Sequence, residues 1–194
     1  MTYSIARYPV HLIDVVQAAD GSRVTIRPTL PQDMELQRDF FRSLSTQGRY
    51  SRFMTRLNEL PESLAARFAS IDYHNHLALL AEVFEDGRET MIGEARYVVD
   101  MRDPQTCEFA IAVADSWQAS GIARALLDRL EHQAALSGIR SMVADTLLTN
   151  RAMIGLARRL GYAIRLSRED PELARLEKHL KPSAVPPSVQ PLAA

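Results

Sequence analysis

At Gly121 the hydrophobic period of the chain changes. Before it, TCEFAIAV alternates as a strand does; after it, Ile122, Leu126, Leu127, Leu130 and Ala134 share one helical face, and Gly138 stops the pattern. A strand running straight into an amphipathic helix needs a sheet for that helix to pack on, which commits the chain to a layered α/β arrangement. The elements around it agree. RSMVADTLL reads as a further strand, 150–160 as a helix closed by Gly161, and YAIRL as another strand, so the second half is βαβαβ. HLALLAEVF, IGEARYVV and TCEFAIAV form an antiparallel meander with turns at Glu85-Asp86-Gly87 and Asp103-Pro104.

Upstream, SRVTIRP is a strand after an Asp20-Gly21 turn. A helix follows near Pro31 with Met34, Leu36, Phe40, Phe41 and Leu44 inward, and a short one spans 61–70 with Leu64 and Phe68 inward. DPELARLEKHL fits a helix by spacing and a last strand by its place in the order. The length of 194 residues suits one core, expected over 22–181, with an N-terminal extension at 1–21 and a proline-rich flexible tail at 182–194.

Apolar residues at 46% and charged residues at 24% are ordinary for a globular protein, and a net charge of -1 argues against nucleic acid as partner. No stretch reaches the ~20 apolar residues needed to cross a bilayer, and Asp14 interrupts the apolar run near the start, so the expectation is a cytoplasmic protein without membrane contact. Cys107 is the only cysteine, which excludes internal disulfides and cysteine-rich zinc sites. His74 and His76 alternate, but no further ligands cluster near them, and no metal is expected.

The turn itself has chemistry to offer. A helix start presents unpaired N–H groups and the positive end of a dipole, and Gly121 and Ala123 keep the approach open for a phosphate while Ser120 and Arg124 add a donor and a charge. The same small residues would also permit a tight turn with no ligand. Neither a Walker loop nor a dinucleotide fingerprint is present.

Gln118, Gly121 and Ala123 resemble the Q/R-x-x-G-x-G/A signature of the GNAT superfamily of N-acetyltransferases, and Asn150 ahead of Leu160-Gly161-Tyr162 is similar to a second feature of those enzymes. Phe40-Phe41, Leu44-Ser45, Arg49-Tyr50-Ser51-Arg52-Phe53, Ile71-Asp72-Tyr73, Gly93-Glu94-Ala95-Arg96-Tyr97 and Glu108-Phe109-Ala110 look like the catalytic domain of bacterial protein lysine acetyltransferases, here read as a stand-alone relative. The resemblance covers roughly residues 22 to 180. It implies an α/β GNAT (acyl-CoA N-acyltransferase) fold, a mixed central sheet flanked by helices, with acetyl-CoA as co-substrate. Gln118, Ala119, Ser120, Gly121, Ile122, Ala123 and Arg124 would meet the pyrophosphate. Ile111, Ala112 and Val113 would lend backbone to pantetheine, held from its other side by Asn150, for which N-capping its own helix is the alternative.

The implied reaction is direct attack of an amine on the thioester, with a protein lysine as preferred acceptor and a small-molecule amine close behind. A lysine amine of pKa about 10.4 is protonated at neutral pH and needs a base. Glu108 matches the family's glutamate, shares its strand face with Ala110 and Ala112, and is expected in an apolar setting; a solvated glutamate paired with Arg96 is the alternative, and Glu94 the reserve. Seven residues after Asn150, where many relatives have a tyrosine acid, stands Ala157, and Tyr162 reads as a core aromatic. Arg49, Arg52 and Arg56, near Tyr50 and Phe53, read as a solvated loop face, with a lining of the acceptor groove as the alternative. A non-catalytic acyl-CoA sensor remains the rival from another class, and a homodimer is compatible with everything above.

Overall fold

In the computed structural model, which describes residues 8–85 and 87–181, a single eight-stranded sheet carries the molecule. The strands are β1 (Asp14–Gln17), β2 (Arg23–Pro28), β3 (His76–Glu85), β4 (Arg88–Val99), β5 (Thr106–Val113), β6 (Ser141–Leu147), β7 (Ala163–Leu166) and β8 (Leu173–His179). Their order across the sheet is β1-β2-β3-β4-β5-β6-β8-β7, and every neighbouring pair is antiparallel except β5 with β6. The proline-rich tail at 182–194 lies outside the described residues, as does Asp86 of the expected turn.

The middle of β3 and of β4 is buried on both faces, with Leu77, Ala78, Leu79, Leu80 and Ala81 all inaccessible to solvent. Two layers of helix account for that. One face packs Leu79, Ala95, Tyr97, Cys107 and Phe109 under Leu126, Leu127 and Leu130 of α4 (Ile122–Leu136), with Leu156 and Ala157 of α5 (Arg151–Arg159) alongside. The other face lies beneath α1 (Met34–Ser43), α2 (Thr46–Phe53) and α3 (Glu62–Ala69), where Phe40 and Leu44 meet Leu80 and Met91. Burial of this apolar area is the main favourable term, at roughly 25 cal/mol per Å².

One element resolves an open sequence reading and another was not foreseen. PELARLEKHL, ambiguous by spacing, is the strand β8, because β6 and β7 pair with it on both sides and Ala174 and Leu176 go into the core; tertiary pairing overrides its helical spacing. The helix α2 has little apolar periodicity of its own. Ser45 caps it, its Oγ accepting from Gly48 N at 3.0 Å, and Asp115 accepts from both Ser45 N and Ser45 Oγ at 2.9 Å. The segment expected ahead of the domain contributes β1, in register with β2 from Asp14↔Ile26 to Gln17↔Arg23.

Candidate active site

The parallel pair β5-β6 is joined over three residue pairs, Thr106↔Ser141, Cys107↔Met142 and Glu108↔Val143, and then the strands part. Beyond that point β5 is paired with β4 alone and β6 with β8 alone. Thr106 O accepts from Asp100 N at 2.9 Å and Ala114 N donates to Ile92 O at 2.8 Å, so both ends of β5 are in phase on even numbers. Alternation therefore gives the backbone of Ala110 and Ala112 to β4, and turns the N–H and C=O of Ile111 and Val113 into the gap. They form a sheet edge inside the molecule, ready to pair with an extended amide-bearing ligand.

Above the gap the chain turns twice through left-handed backbone, at Ala119 (φ 61°) and Gly121 (φ 91°), before α4 begins. A Cβ at Gly121 would meet open space, so backbone conformation rather than crowding is what calls for glycine there. Ser120 Oγ donates to Trp117 O at 2.6 Å, and Ser120 O accepts from Ala19 N at 3.0 Å, which ties the turn to the hairpin β1-β2. No side chain with a good hydrogen bond caps α4 and no acidic residue stands in its first turn. The N–H groups there keep their positive potential for an anion. Gln118, Ala119, Gly121 and Arg124 are exposed, Ala123 is half-buried, and Ile122 anchors the turn in the core. The Arg124 guanidinium also reaches Asp128 at 3.4 Å.

Across the gap Asn150 caps α5, its Oδ1 accepting from Met153 N at 3.1 Å. The capping role is thus real, and it leaves the amide Nδ2 as a donor. Ala157 is fully buried, and Tyr162 packs its ring on Phe109 at 5.2 Å, a core aromatic as expected. Cys107 points to the α4 face, where burial pushes its thiol up to about 12 and keeps it unreactive.

The face of β3-β4-β5 toward α1, α2 and α3 carries the charged groups. Glu108 is exposed on it, so the apolar setting expected for this residue is not found. The alternative, a solvated glutamate paired with Arg96, is met only in its exposure: Arg96 binds Glu94 through Nε at 2.6 Å and Nη2 at 2.7 Å, a bidentate pair with side chains 5% and 7% exposed. Burial works to raise the Glu94 pKa, but the charge and hydrogen bonds of Arg96 outweigh it and hold the carboxyl below its ordinary value. Glu94 is an anchored ion, poorly suited to take a proton.

Phe68 of α3 lies over the Arg96 guanidinium at 3.5 Å, and His76 completes the group, its Nδ1 at 2.8 Å from Ser70 O and its Nε2 at 3.2 Å from Arg96 Nη1. These partners fix the neutral tautomer, with Nδ1–H donating to the carbonyl. Burial first, and Arg96 second, lower the His76 pKa. Arg52 corrects the solvated-loop reading: it sits on α2 over the rings of Phe53 (4.9 Å) and Phe68 (5.9 Å), 4.0 Å from Glu94. Burial, with Arg96, brings it down to about 10, against the opposing charges of Glu94 and Glu108. Arg96, His76 and Arg52 were missed as a set. Alternation along IGEARYVV puts Glu94 and Arg96 on one face and was a usable signal; for Arg52 the nearby Tyr50 and Phe53 were the signal, and they favour the groove reading, the alternative to a solvated face.

Comparison with known proteins meets this geometry. The model of the acetyltransferase (GNAT) family matches residues 35–162. An acetyltransferase of Pseudomonas aeruginosa is 34% identical over 153 residues, 79% of this chain and 80% of the relative. Acetyltransferase Pat of Mycolicibacterium smegmatis is 28% identical over 146 residues, 75% of this chain and 43% of Pat, so the chain spans under half of that relative. Among solved structures, the GNAT domain of S. lividans PAT superposes with a TM-score of 0.81 at 28% identity, over 89% of this chain and 99% of that domain.

Proposed function

This chain belongs to the GNAT family and is an acetyl-CoA-dependent N-acetyltransferase, and from that premise we propose that it acetylates a primary amine by direct attack, with Glu108 as base and a protein lysine as acceptor. The observation that carries the reading is the parting of β5 from β6 after Glu108↔Val143. The opening starts beside the proposed base and ends under the Gly121 turn, so base, free strand edge and anion-binding turn follow one another along a single line of chain.

In this reading the backbone of Ile111 and Val113 aligns the pantetheine arm as an added strand, with Asn150 Nδ2 donating from the other side. Gln118, Ala119, Ser120, Gly121, Ile122, Ala123 and Arg124 hold the pyrophosphate at the start of α4. Glu108 takes the proton from the acceptor ammonium; the freed nitrogen forms its bond to the thioester carbon while the C–S bond breaks. The Val113 N–H polarises the thioester oxygen. The attacking nitrogen still carries one proton too many, and because Ala157 offers no acid, that proton passes from the intermediate to the departing thiolate, directly or through water. The likeness to Pat supports a protein lysine; a small-molecule amine is the second reading, favoured by the size of the cavity described below.

The test is calorimetric titration of acetyl-CoA into the wild type and Gly121→Asp. The expected result is binding by the wild type and a loss of about 100-fold or more in the variant, where a carboxylate faces the pyrophosphate and the left-handed backbone is strained. Equal affinity in the two proteins sinks the assignment of the turn.

A further inference from the structure

Beneath α1, α2 and α3 a small cavity of about 20 Å³ is walled by Phe40, Phe41, Phe53 and Phe68 and reaches Ala112 of β5. It has room for one water-sized group. Two polar side chains line it with hydrogen-bonding capacity unused. The Arg52 side chain is 13% exposed, yet its nearest carboxylate, Glu94, stands 4.0 Å away, beyond hydrogen-bond reach, and is already held by both bonds from Arg96. Gln37 is 4% exposed and its Oε1 has no partner. A guanidinium that is desolvated, flanked by aromatic rings and short of acceptors is configured for a planar anion.

The cavity also lies in the right place. Ala112 and Glu108 share a face of β5, and Glu108 is near enough for its charge to act on Arg52. A molecule whose amine meets Glu108 therefore has its other end within the domain of Arg52. A half-turn of the Gln37 amide would present its NH2 in place of Oε1 and supply a second donor. The small volume admits the end of a substrate and no more.

We propose that Arg52, with Gln37, is the acceptor-recognition site of this acetyltransferase and takes a carboxylate carried by the amine substrate. The inference rests on the acetyltransferase reading and adds the acceptor's chemical class. Two sources supply the same group: the α-carboxylate of a free amino acid, or an acidic residue beside a lysine in a protein. In the free amino acid the amine and carboxylate share one carbon, whereas in the peptide they end two neighbouring side chains, so the two sources differ in reach while offering Arg52 the same anion.

Matched acceptors test this with the full chain. Release of CoA is followed with L-methionine against L-methioninamide, and with N-blocked hexapeptides whose single lysine precedes glutamate or glutamine. The acid member of one pair is expected to be favoured about tenfold or more in kcat/KM, through KM, and that pair identifies the source. An amide's amine is the more easily deprotonated, so basicity works against the expected preference. Arg52→Gln should bring the acid-to-amide ratio to about one, and Arg52→Lys should keep part of it, with the KM for acetyl-CoA unmoved in both. Equal use of acid and amide by the wild type overturns the proposal. So does an Arg52→Gln variant that slows both members alike, the mark of a strut for Glu94.

Titration of the N-acetylated acid and its amide reads the pocket without turnover. Arg52-dependent binding of the acid without CoA release from any amine would keep the pocket and remove the acetyltransferase reading. CoA release from every amine alike would do the reverse, and neither binding nor release would remove both.

Discussion

On one wall of the cleft, Ile111, Val113 and the turn into α4 present backbone N–H and C=O groups; on the other, α1, α2 and α3 lay Arg52, Gln37 and a set of phenylalanines against Glu94 and Arg96. The first wall depends on conformation at a few positions, above all a left-handed Gly121, and tolerates many side chains. The second depends on which side chain stands at each place, since a buried ion without its partner is costly. A site built this way can keep its donor fixed while its acceptor specificity changes by substitution.

Four measurements would break or sharpen that contrast. The largest effect belongs to the wall of side chains: Glu108→Gln should lower kcat by about 10²–10⁴-fold while leaving the calorimetric affinity for acetyl-CoA in place. Normal turnover would remove Glu108 as base. Next, Glu94→Ala strands Arg96 and Arg52 and should destabilise the fold by about 3–5 kcal/mol in urea unfolding; a loss under about 1 kcal/mol would mean that solvent already reaches the pair.

A smaller effect is expected from pH. The folded-state pKa of His76 is lowered by burial and by Arg96, so the unfolded chain binds the proton first, and stability should fall as pH drops through the ordinary value of about 6.5. His76→Asn should flatten that step in the urea midpoint. The smallest effect tests the backbone wall: Gln118→Ala removes a side chain whose hydrogen bond, to Asp115 at 3.4 Å, is long, and should weaken acetyl-CoA by no more than about threefold. A hundredfold loss there would make this wall, too, a matter of side chains.

The same contrast explains what the sequence disclosed. Gly121, the period change beside it and the meander before it are local patterns, and they disclosed a layered α/β arrangement with the course of β5 and α4, while the GNAT fold came through the resemblance carried by Gln118, Gly121, Ala123 and Asn150. The alternation of β5 also sets Cys107 and Glu108 on opposite faces, since neighbouring strand residues face opposite ways. Arg52 could not be read in the same way. Its helix has weak periodicity and is held by Ser45 and by Asp115, a residue far along the chain, and its aromatic neighbours come from α2 and α3. Ala110 and Ala112 leave space beside Glu108, as their size leads one to expect, but that space is open to solvent rather than apolar, because alternation fixes the face of a strand residue and not what covers it.

Asp115 joins the two walls. One of its oxygens accepts from Ser45 N and the other from Ser45 Oγ and Gln118 Nε2, so a single carboxylate holds both the start of α2 and the turn before α4. A ligand that stiffens either end alters the free energy of the other, and linkage is reciprocal. Whatever coupling Asp115 carries, acetyl-CoA and the acceptor therefore change each other's affinity by one common factor.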